Sequence, residues 1–162
     1  MTTTLGTLLT AIVTPFDDEL KVDEDAFVAL LHHVIDSGSD GVVVCGTTGE
    51  AATLTNEEHL RLVEIACAER PEGVTILGST GSNDTAQACA MTERVTELGV
   101  DGVLSVTPYY NRPNRRGLVR HYTRSRRPPT SRSCSTTSRP APRSTCRTIC
   151  SPSSPRSSAS TT

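Results

Sequence analysis

Residues 41–50 read Gly-Val-Val-Val-Cys-Gly-Thr-Thr-Gly-Glu, and this stretch decides the fold class. Its first half, Gly41 to Cys45, is a short apolar run without polar alternation, which predicts a strand buried on both faces. Similar runs occur at residues 8–13, 74–77 and 102–106. Strands that are apolar on both faces belong to a parallel sheet covered by helices. The chain is therefore predicted to be an α/β protein.

The segments between the strands carry helix signals. Asp23 is a candidate N-cap for a helix that Gly38 ends, and Thr55 with Glu58 forms a capping box at the start of a second helix. A third helix has apolar residues at three- and four-residue spacing and ends at Gly99. The resulting order, four strands alternating with three helices, fits an open doubly wound sheet or the first half of an eight-stranded barrel. Periodicity alone does not separate the two.

The chain changes character after Tyr122. Through Asp101 there are 18 acidic and 4 basic residues, net −14, whereas from Gly102 onward there are 12 Arg and no acid, net +12. The last 40 residues are almost only Ser, Thr, Arg and Pro, with one large aliphatic residue and no aromatic. Such a segment cannot bury enough apolar surface to offset its chain entropy. We expect a partial barrel at residues 1–122 and a disordered tail at residues 123–162.

Several classes of protein are excluded by the bulk sequence. No apolar run reaches membrane-spanning length, and the N-terminus lacks the features of a secretory signal, so we expect a cytoplasmic protein. Cys45, Cys67 and Cys89 lie in apolar periodic segments and are predicted to be buried free thiols. The remaining cysteines and the four histidines show no ligand spacing, so no metal site is predicted.

In either fold, chemistry gathers in the loops that follow the strands. The loop after the second strand contains two glycines and two adjacent hydroxyls, Thr47 and Thr48, which can bind a carboxylate or relay a proton. A phosphate-cradling turn or a merely tight turn is the alternative, but no Lys follows the second glycine as in a Walker loop. The loop at residues 78–84 is small and polar and needs no role beyond helix capping. The loop at residues 107–113 presents two of the three tyrosines between two prolines.

Together these motifs resemble the dihydrodipicolinate synthase family of pyruvate-dependent Schiff-base lyases. The resemblance rests on Gly-Thr-Thr-Gly-Glu at 46–50, Ala-Thr-Leu at 52–54 and Thr-Pro-Tyr-Tyr-Asn-Arg-Pro at 107–113, and it extends from about Gly6 to Tyr122. It implies a (β/α)8 TIM barrel whose first half this chain contains. It also implies condensation of pyruvate with aspartate semialdehyde in lysine (diaminopimelate) biosynthesis, without cofactor or metal, by a homotetramer built from tight dimers. Another pyruvate-dependent aldolase, of the N-acetylneuraminate lyase or keto-deoxy sugar-acid type, is the alternative.

The resemblance also implies roles for individual residues. Thr48 would bind the pyruvate carboxylate. Thr47 would pass a proton to Tyr110, which the neighbouring subunit would supply across the tight dimer interface. Five residues match the family's lysine-feedback site: Ala52, Leu54, His59, Asn83 and Tyr109. Asn56 and Gln87 stand where lysine-inhibited members often carry His and Glu, which argues against feedback inhibition.

Two residues that the family's chemistry needs are missing: the imine-forming Lys on strand six and the Tyr of a strand-five motif. The single lysine, Lys21, lies in the loop after the first strand, where a solvated surface charge is expected. Without an amine in the site no Schiff base forms, so this chain is predicted to be inactive.

The tail suggests why these residues are missing. Codons for Ser135 to Pro142, read in another frame, permit Tyr-Asn-Ile-Pro-Ala-Arg-Thr, which is the family's strand-five motif, so we expect a single frameshift near Thr123. A rival interpretation takes the tail as an Arg/Ser-rich arm that binds RNA or acidic partners through phosphate contacts. A third is an inert fragment, because four strands cannot close a barrel and open edges favour aggregation.

Overall fold

A computed structural model describes residues 5–126, together with the backbone of two short segments at 132–137 and 147–150. The strands are β1 (Leu9–Ala11), β2 (Gly41–Val44), β3 (Thr75–Ser79), β4 (Gly102–Val106), β5 (Arg132–Thr137) and β6 (Arg147–Cys150). The helices are α1 (Glu24–Asp36), α2 (Asn56–Glu69), α3 (Thr85–Glu97) and α4 (Arg115–Ser125). None of the helices in this part of the chain is long and apolar enough to cross a bilayer.

The strands form a single sheet in chain order, β1 to β6. β1 to β5 run parallel, with Val43 of β2 opposite Ala11 of β1 and Leu77 of β3. β6 pairs antiparallel with β5. The predicted parallel arrangement of the first four strands is confirmed. The order, in which each strand pairs with the next and a helix connects them, is that of the first half of a barrel.

The structure differs from the prediction near the start of the tail. A fourth helix, α4, begins after Asn114 and ends at Ser125, so it crosses the boundary expected at Tyr122. The helix was not predicted because its sequence is rich in Arg and only two of its residues, His121 and Ser125, are buried. β5 and β6 also lie within the segment predicted to be disordered, and the rest of that segment lies outside the described residues.

The core lies between the sheet and the helices. It is a single cluster that includes Phe27 and Leu31 of α1, Leu62 and Val63 of α2, and Ile76 of β3. Val43 and Leu77 are also buried but do not belong to this cluster, because successive strand residues point to opposite faces of a sheet. Burying each large aliphatic side chain contributes about 1.5–3 kcal/mol, so the sheet is stabilised on both faces.

The predicted helix starts are confirmed by their hydrogen bonds. The Asp23 carboxylate accepts from Ala26 N at 2.9 Å. In the capping box of α2, Glu58 N donates to Thr55 Oγ1 at 3.2 Å and Thr55 N donates to Glu58 Oε2 at 2.8 Å. These bonds satisfy backbone donors that a helix start leaves unpaired. The loops that enter these helices are therefore fixed at the edge of the sheet where the site lies.

Candidate active site

The loops after β2, β3 and β4 meet at the carboxyl ends of the strands, around a cavity of about 460 Å³. The loop after β2 contributes half of the lining residues, and β4 contributes two side chains from one of its faces. The lining residues are Gly46, Thr47, Glu50, Ala51, Ala52, Ser79, Gly81, Leu104, Val106 and Tyr109. Two residues predicted from different loops, Thr47 and Tyr109, thus line the same cavity. A site at this edge of a parallel sheet is where the fold class predicts one.

The loop after β2 is a tight turn held by its own backbone. Gly49 N donates to Gly46 O at 3.1 Å, and Glu50 N donates to Thr47 O at 3.2 Å. Cys45 and Glu50, at its two ends, have left-handed backbone angles, φ 54° in each case. A non-glycine residue held in such a region costs about 1–3 kcal/mol, and such residues concentrate at functional sites. The backbone strain at both ends makes residues 45–50 a candidate functional loop.

Thr14, a residue that sequence analysis did not single out, anchors this loop. Its buried Oγ1 donates to Gly49 O at 2.8 Å, which ties the loop to the end of β1. The turn exposes both adjacent threonines, Thr47 and Thr48, but only Thr47 lines the cavity. Thr47 therefore lies on the cavity wall, and Thr48 is exposed beside it on the same turn.

The tyrosine loop after β4 is also strained. Tyr110 and Arg112 have φ of 67° and 38°. The Asn111 amide donates to Asn83 O at 3.2 Å and so joins this loop to the one after β3. Tyr109, 51% exposed, reaches the cavity, whereas Tyr110 is 94% exposed and does not line it. Tyr110 is therefore displayed away from the site of its own chain and is not brought to Thr47.

A second, smaller cavity of about 170 Å³ adjoins the first and shares Tyr109 with it. Ala52, Leu54 and His59 also line it, so four of the five residues matched to a feedback site are brought together. Asn83 does not line this cavity, although the neighbouring Ser82 does. Among the described residues, no Asp, Glu, Lys or Arg lines it. The walls therefore offer hydrogen bonds but no fixed charge.

His59 is the single titratable imidazole in this smaller cavity. It is 7% exposed, and its Nε2 lies 2.8 Å from Ser79 O, so Nε2 carries the proton and donates. Burial lowers the pKa of His59, and the bond to Ser79 O opposes this only in part. The imidazole is therefore neutral at physiological pH. Gln87 is held nearby, because Ser82 Oγ donates to its Oε1 at 2.9 Å.

Lys21, the single lysine of the chain, lines neither cavity. It lies between Phe16 and Val22, which form an isolated antiparallel bridge. Its side chain is 71% exposed, and its Nζ contacts Glu19 Oε2 at 2.6 Å. The prediction of a solvated surface charge is confirmed for this residue. Within residues 5–126, no three His, Cys, Asp or Glu side chains cluster in a way that would hold a metal ion.

The apolar side chains at the base of the larger cavity were not predicted from the sequence. Leu104 and Val106 line it from β4, two residues apart on the same face of the strand. Because alternate residues of a strand lie on one face, counting back in steps of two from the end of β4 at the tyrosine loop identifies both residues. Cys45, Cys67 and Cys89 are free thiols as predicted, but only Cys45 is buried, whereas Cys67 and Cys89 are half-buried. Burial raises the pKa of the Cys45 thiol to about 12, which makes it a poor nucleophile.

The family model of the dihydrodipicolinate synthetase family matches residues 4–125. The chain belongs to this family. The match ends at Ser125, where α4 also ends. The family assignment and the first half-barrel predicted from the two loop motifs are thus confirmed.

Individual family members agree with this assignment. A 4-hydroxy-tetrahydrodipicolinate synthase from Prochlorococcus marinus (strain MIT 9211) is 49% identical over 117 residues, which cover 72% of this chain and 39% of that protein. The structure of the same enzyme from Methylacidiphilum fumariolicum SolV superposes with a TM-score of 0.75 at 41% identity, covering 79% of this chain and 42% of that one. Dihydrodipicolinate synthase from Acinetobacter baumannii, solved in complex with pyruvate, gives 0.73 at 37% identity, covering 75% and 42%. The chain thus spans about 40% of the length of these family members.

Proposed function

We propose that residues 5–126 carry the pyruvate-recognition part of a 4-hydroxy-tetrahydrodipicolinate synthase, a lyase that condenses pyruvate with aspartate semialdehyde in cytoplasmic lysine biosynthesis. The observation that carries this proposal is the meeting of Thr47 and Tyr109 around one cavity of about 460 Å³, in a chain of this family. The family member from Acinetobacter baumannii binds pyruvate, which supports the choice of ligand.

In this proposal, the two threonines have different tasks. Thr48 donates to the pyruvate carboxylate, and Thr47 moves a proton within the cavity through its hydroxyl. Tyr110 completes the relay in the site of a neighbouring subunit. Its 94% exposure and its left-handed backbone support this role, because both present the phenol outward from its own chain. A tight dimer, and a dimer of such dimers, is the assembly in which this exchange of tyrosines operates.

The smaller cavity is proposed to be the counterpart of a lysine-feedback site that no longer responds to lysine. A ligand with a side-chain ammonium needs a carboxylate or several acceptors to replace its hydration. The cavity presents Asn56 and Gln87 without a lining acid, and the Gln87 carbonyl already accepts from Ser82. Lysine at millimolar concentration is therefore expected to leave pyruvate binding unchanged.

The chain itself is proposed to bind pyruvate without forming an imine. Its one amine side chain, Lys21, is solvent-exposed and paired with Glu19. The frameshift near Thr123 is our explanation for the missing amine, and resequencing the gene tests it. An open reading frame that continues through the shifted frame supports the proposal, whereas an early stop codon in that frame contradicts it.

Two measurements on the full chain test the function. In borohydride trapping with pyruvate followed by intact mass, we expect no adduct, and K21R serves as the control for any lysine reaction. An adduct on the chain that disappears in K21R would overturn the proposed lack of imine chemistry.

Saturation-transfer NMR with pyruvate tests the binding site directly. We expect a signal that T48V reduces about tenfold, because a hydrogen bond to a charged group contributes about 1.5–3 kcal/mol. The matched control is T53V in the same loop, since Thr53 Oγ1 already donates to Glu50 O and is not offered to a ligand. Equal binding by all three chains, or no binding by the parent chain, would contradict the assignment.

A further inference from the structure

The four helices form a gradient of charge across one side of the sheet. Counting side chains at neutral pH with neutral histidines, α1 carries −3, α2 carries −3, α3 carries −1 and α4 carries +4. α1 packs on α2 and α4 packs on α3, so the acidic and basic helices lie towards opposite ends of the sheet order. One copy of the chain cannot bring its own α4 onto its own α1. Any contact between these surfaces must join two molecules.

The basic surface consists of the five arginines at or beside α4, together with Val119. Those arginines are Arg115, Arg116, Arg120, Arg124 and Arg126. All five side chains are exposed, and none makes an ion pair or side-chain hydrogen bond with another residue that the structure describes. By contrast, Arg61 pairs with Glu24 and Glu64, and Arg70 pairs with Asp101. The guanidinium groups of α4 are therefore free to bind carboxylates from outside the molecule.

The shape of the basic surface suits side chains of a partner. Val119, 59% exposed, separates two grooves of about 520 and 340 Å³. Arg120 and Arg124 line the first groove, and Arg115 and Arg126 line the second. A carboxylate side chain that enters either groove meets two guanidiniums, and the rim beside it is an apolar valine. Paired charges around an apolar centre are typical of protein interfaces.

The acidic surface is formed by exposed carboxylates of α1 and α2. Asp25, Asp36 and Glu57 belong to it, and they have no ion pair or hydrogen bond to their side chains within the described residues. The same surface argues against a polyanion as the partner of α4. A nucleic acid or an anionic membrane would also face the net −14 of residues 1–101, whereas a second copy offers that charge as the complement.

We propose that α4 is the docking surface for a second copy of this chain, which receives it on the α1–α2 surface. The contact is heterologous, since different surfaces of the two molecules meet. Each added copy therefore presents a new α4 and a new acidic surface. A contact of this type closes into a ring or grows into an open chain instead of stopping at a symmetric dimer.

Sedimentation of the nuclease-treated full chain tests the proposal. In ~20 mM salt, we expect a weight-average mass that keeps rising with protein concentration, and in ~500 mM salt we expect this rise to disappear, because screening shortens the range of charge interactions. Any dimer that forms through the Tyr110 surface is separate from this contact and does not produce open-ended growth. R120E/R124E is expected to weaken the association at least about tenfold through like-charge repulsion. The matched control is K21E/R94E, which changes the net charge equally but lies outside α4.

Each result decides for or against the docking surface. Retained association in K21E/R94E with loss in R120E/R124E supports it, provided that circular dichroism shows the variants folded. Equal loss in both variants would assign the effect to net charge and overturn the proposal. A mass that does not rise with concentration at low salt, a rise that nuclease abolishes, or a rise that persists in high salt would each overturn it as well.

Discussion

Helices α2 and α4 differ in what holds them in place. α2 has a reciprocal capping box, two acids in its first turn and six buried residues. α4 has a single cap from Asn114, two arginines in its first turn and two buried residues. It depends instead on two contacts with its neighbours: His121 Nδ1 lies 2.9 Å from Thr85 Oγ1, and Tyr122 OH lies 3.1 Å from Thr107 Oγ1. α2 is thus stabilised by its own cap and by burial in the core, whereas α4 is stabilised by side-chain contacts with Thr85 and Thr107.

The largest difference should appear when one apolar side chain is removed from each helix. Leu62 of α2 is fully buried, so L62A should lower the free energy of unfolding by about 2–5 kcal/mol through lost burial and a cavity. Val119 of α4 is 59% exposed, so V119A should change it by less than about 0.5 kcal/mol. Urea unfolding in high salt measures both. A similar loss of unfolding free energy in L62A and V119A would contradict this difference between α2 and α4.

Removing the N-cap of each helix tests the same difference between α2 and α4. T55A breaks the capping box and should lower the free energy of unfolding by about 1 kcal/mol, because α2 belongs to the cooperative core. N114A removes the bond from Gly117 N to Asn114 Oδ1, 2.9 Å long, and should speed amide exchange in α4 alone. Urea unfolding and hydrogen exchange together separate global from local effects. Faster exchange throughout the sheet in N114A would show that α4 is as integral as α2.

Reversing a single charge near either end of α4 should change the stability of this helix by a smaller amount. Arg116 lies in the first turn, where the helix dipole disfavours a cation, so R116E should stabilise α4 by about 0.3–1 kcal/mol. R124E, in the last turn, should act in the opposite direction. Both shifts are read from amide exchange of α4 at low protein concentration. The same sign for both variants would rule out the dipole as the cause.

The smallest expected effect is on pH dependence. The backbone hydrogen bond from Thr55 lowers the pKa of the Glu58 carboxyl below its ordinary value of 4.5. Because the folded pKa is the lower one, this contribution is complete above the unfolded pKa and is lost as pH falls through the folded pKa. The loss of stability between neutral pH and acid should be shallower in E58Q. The Asn114 cap of α4 does not titrate, so N114A should leave that slope unchanged.

Features set by neighbouring residues were predictable from the sequence. The Thr55–Glu58 capping box and the buried strand at 41–44 depend on local spacing, and both are confirmed. α4 was missed because its four arginines and one glycine outweigh a buried face of two residues. Its stability comes from Thr85 and Thr107, which are distant in sequence. Propensity alone cannot reveal a helix that is held in this way.

The candidate site was predictable in its location but not in its orientation. Parallel strands bring the loops after β2 and β4 to one edge, so the meeting of Thr47 and Tyr109 follows from topology. The outward direction of Tyr110 follows from its φ of 67°, which the sequence does not specify for a non-glycine residue. The roles assigned to Thr47, Thr48, Tyr110 and the five residues matched to a feedback site all stay predictions.

The charge gradient across the helices has a practical consequence for anyone purifying the chain. A formal net charge of −2 suggests weak retention on any ion-exchange resin. The acidic helices and α4 are separate patches, however, and a resin contacts one patch at a time. The chain should therefore be retained by both anion and cation exchangers at neutral pH, with elution governed by local patches instead of the isoelectric point.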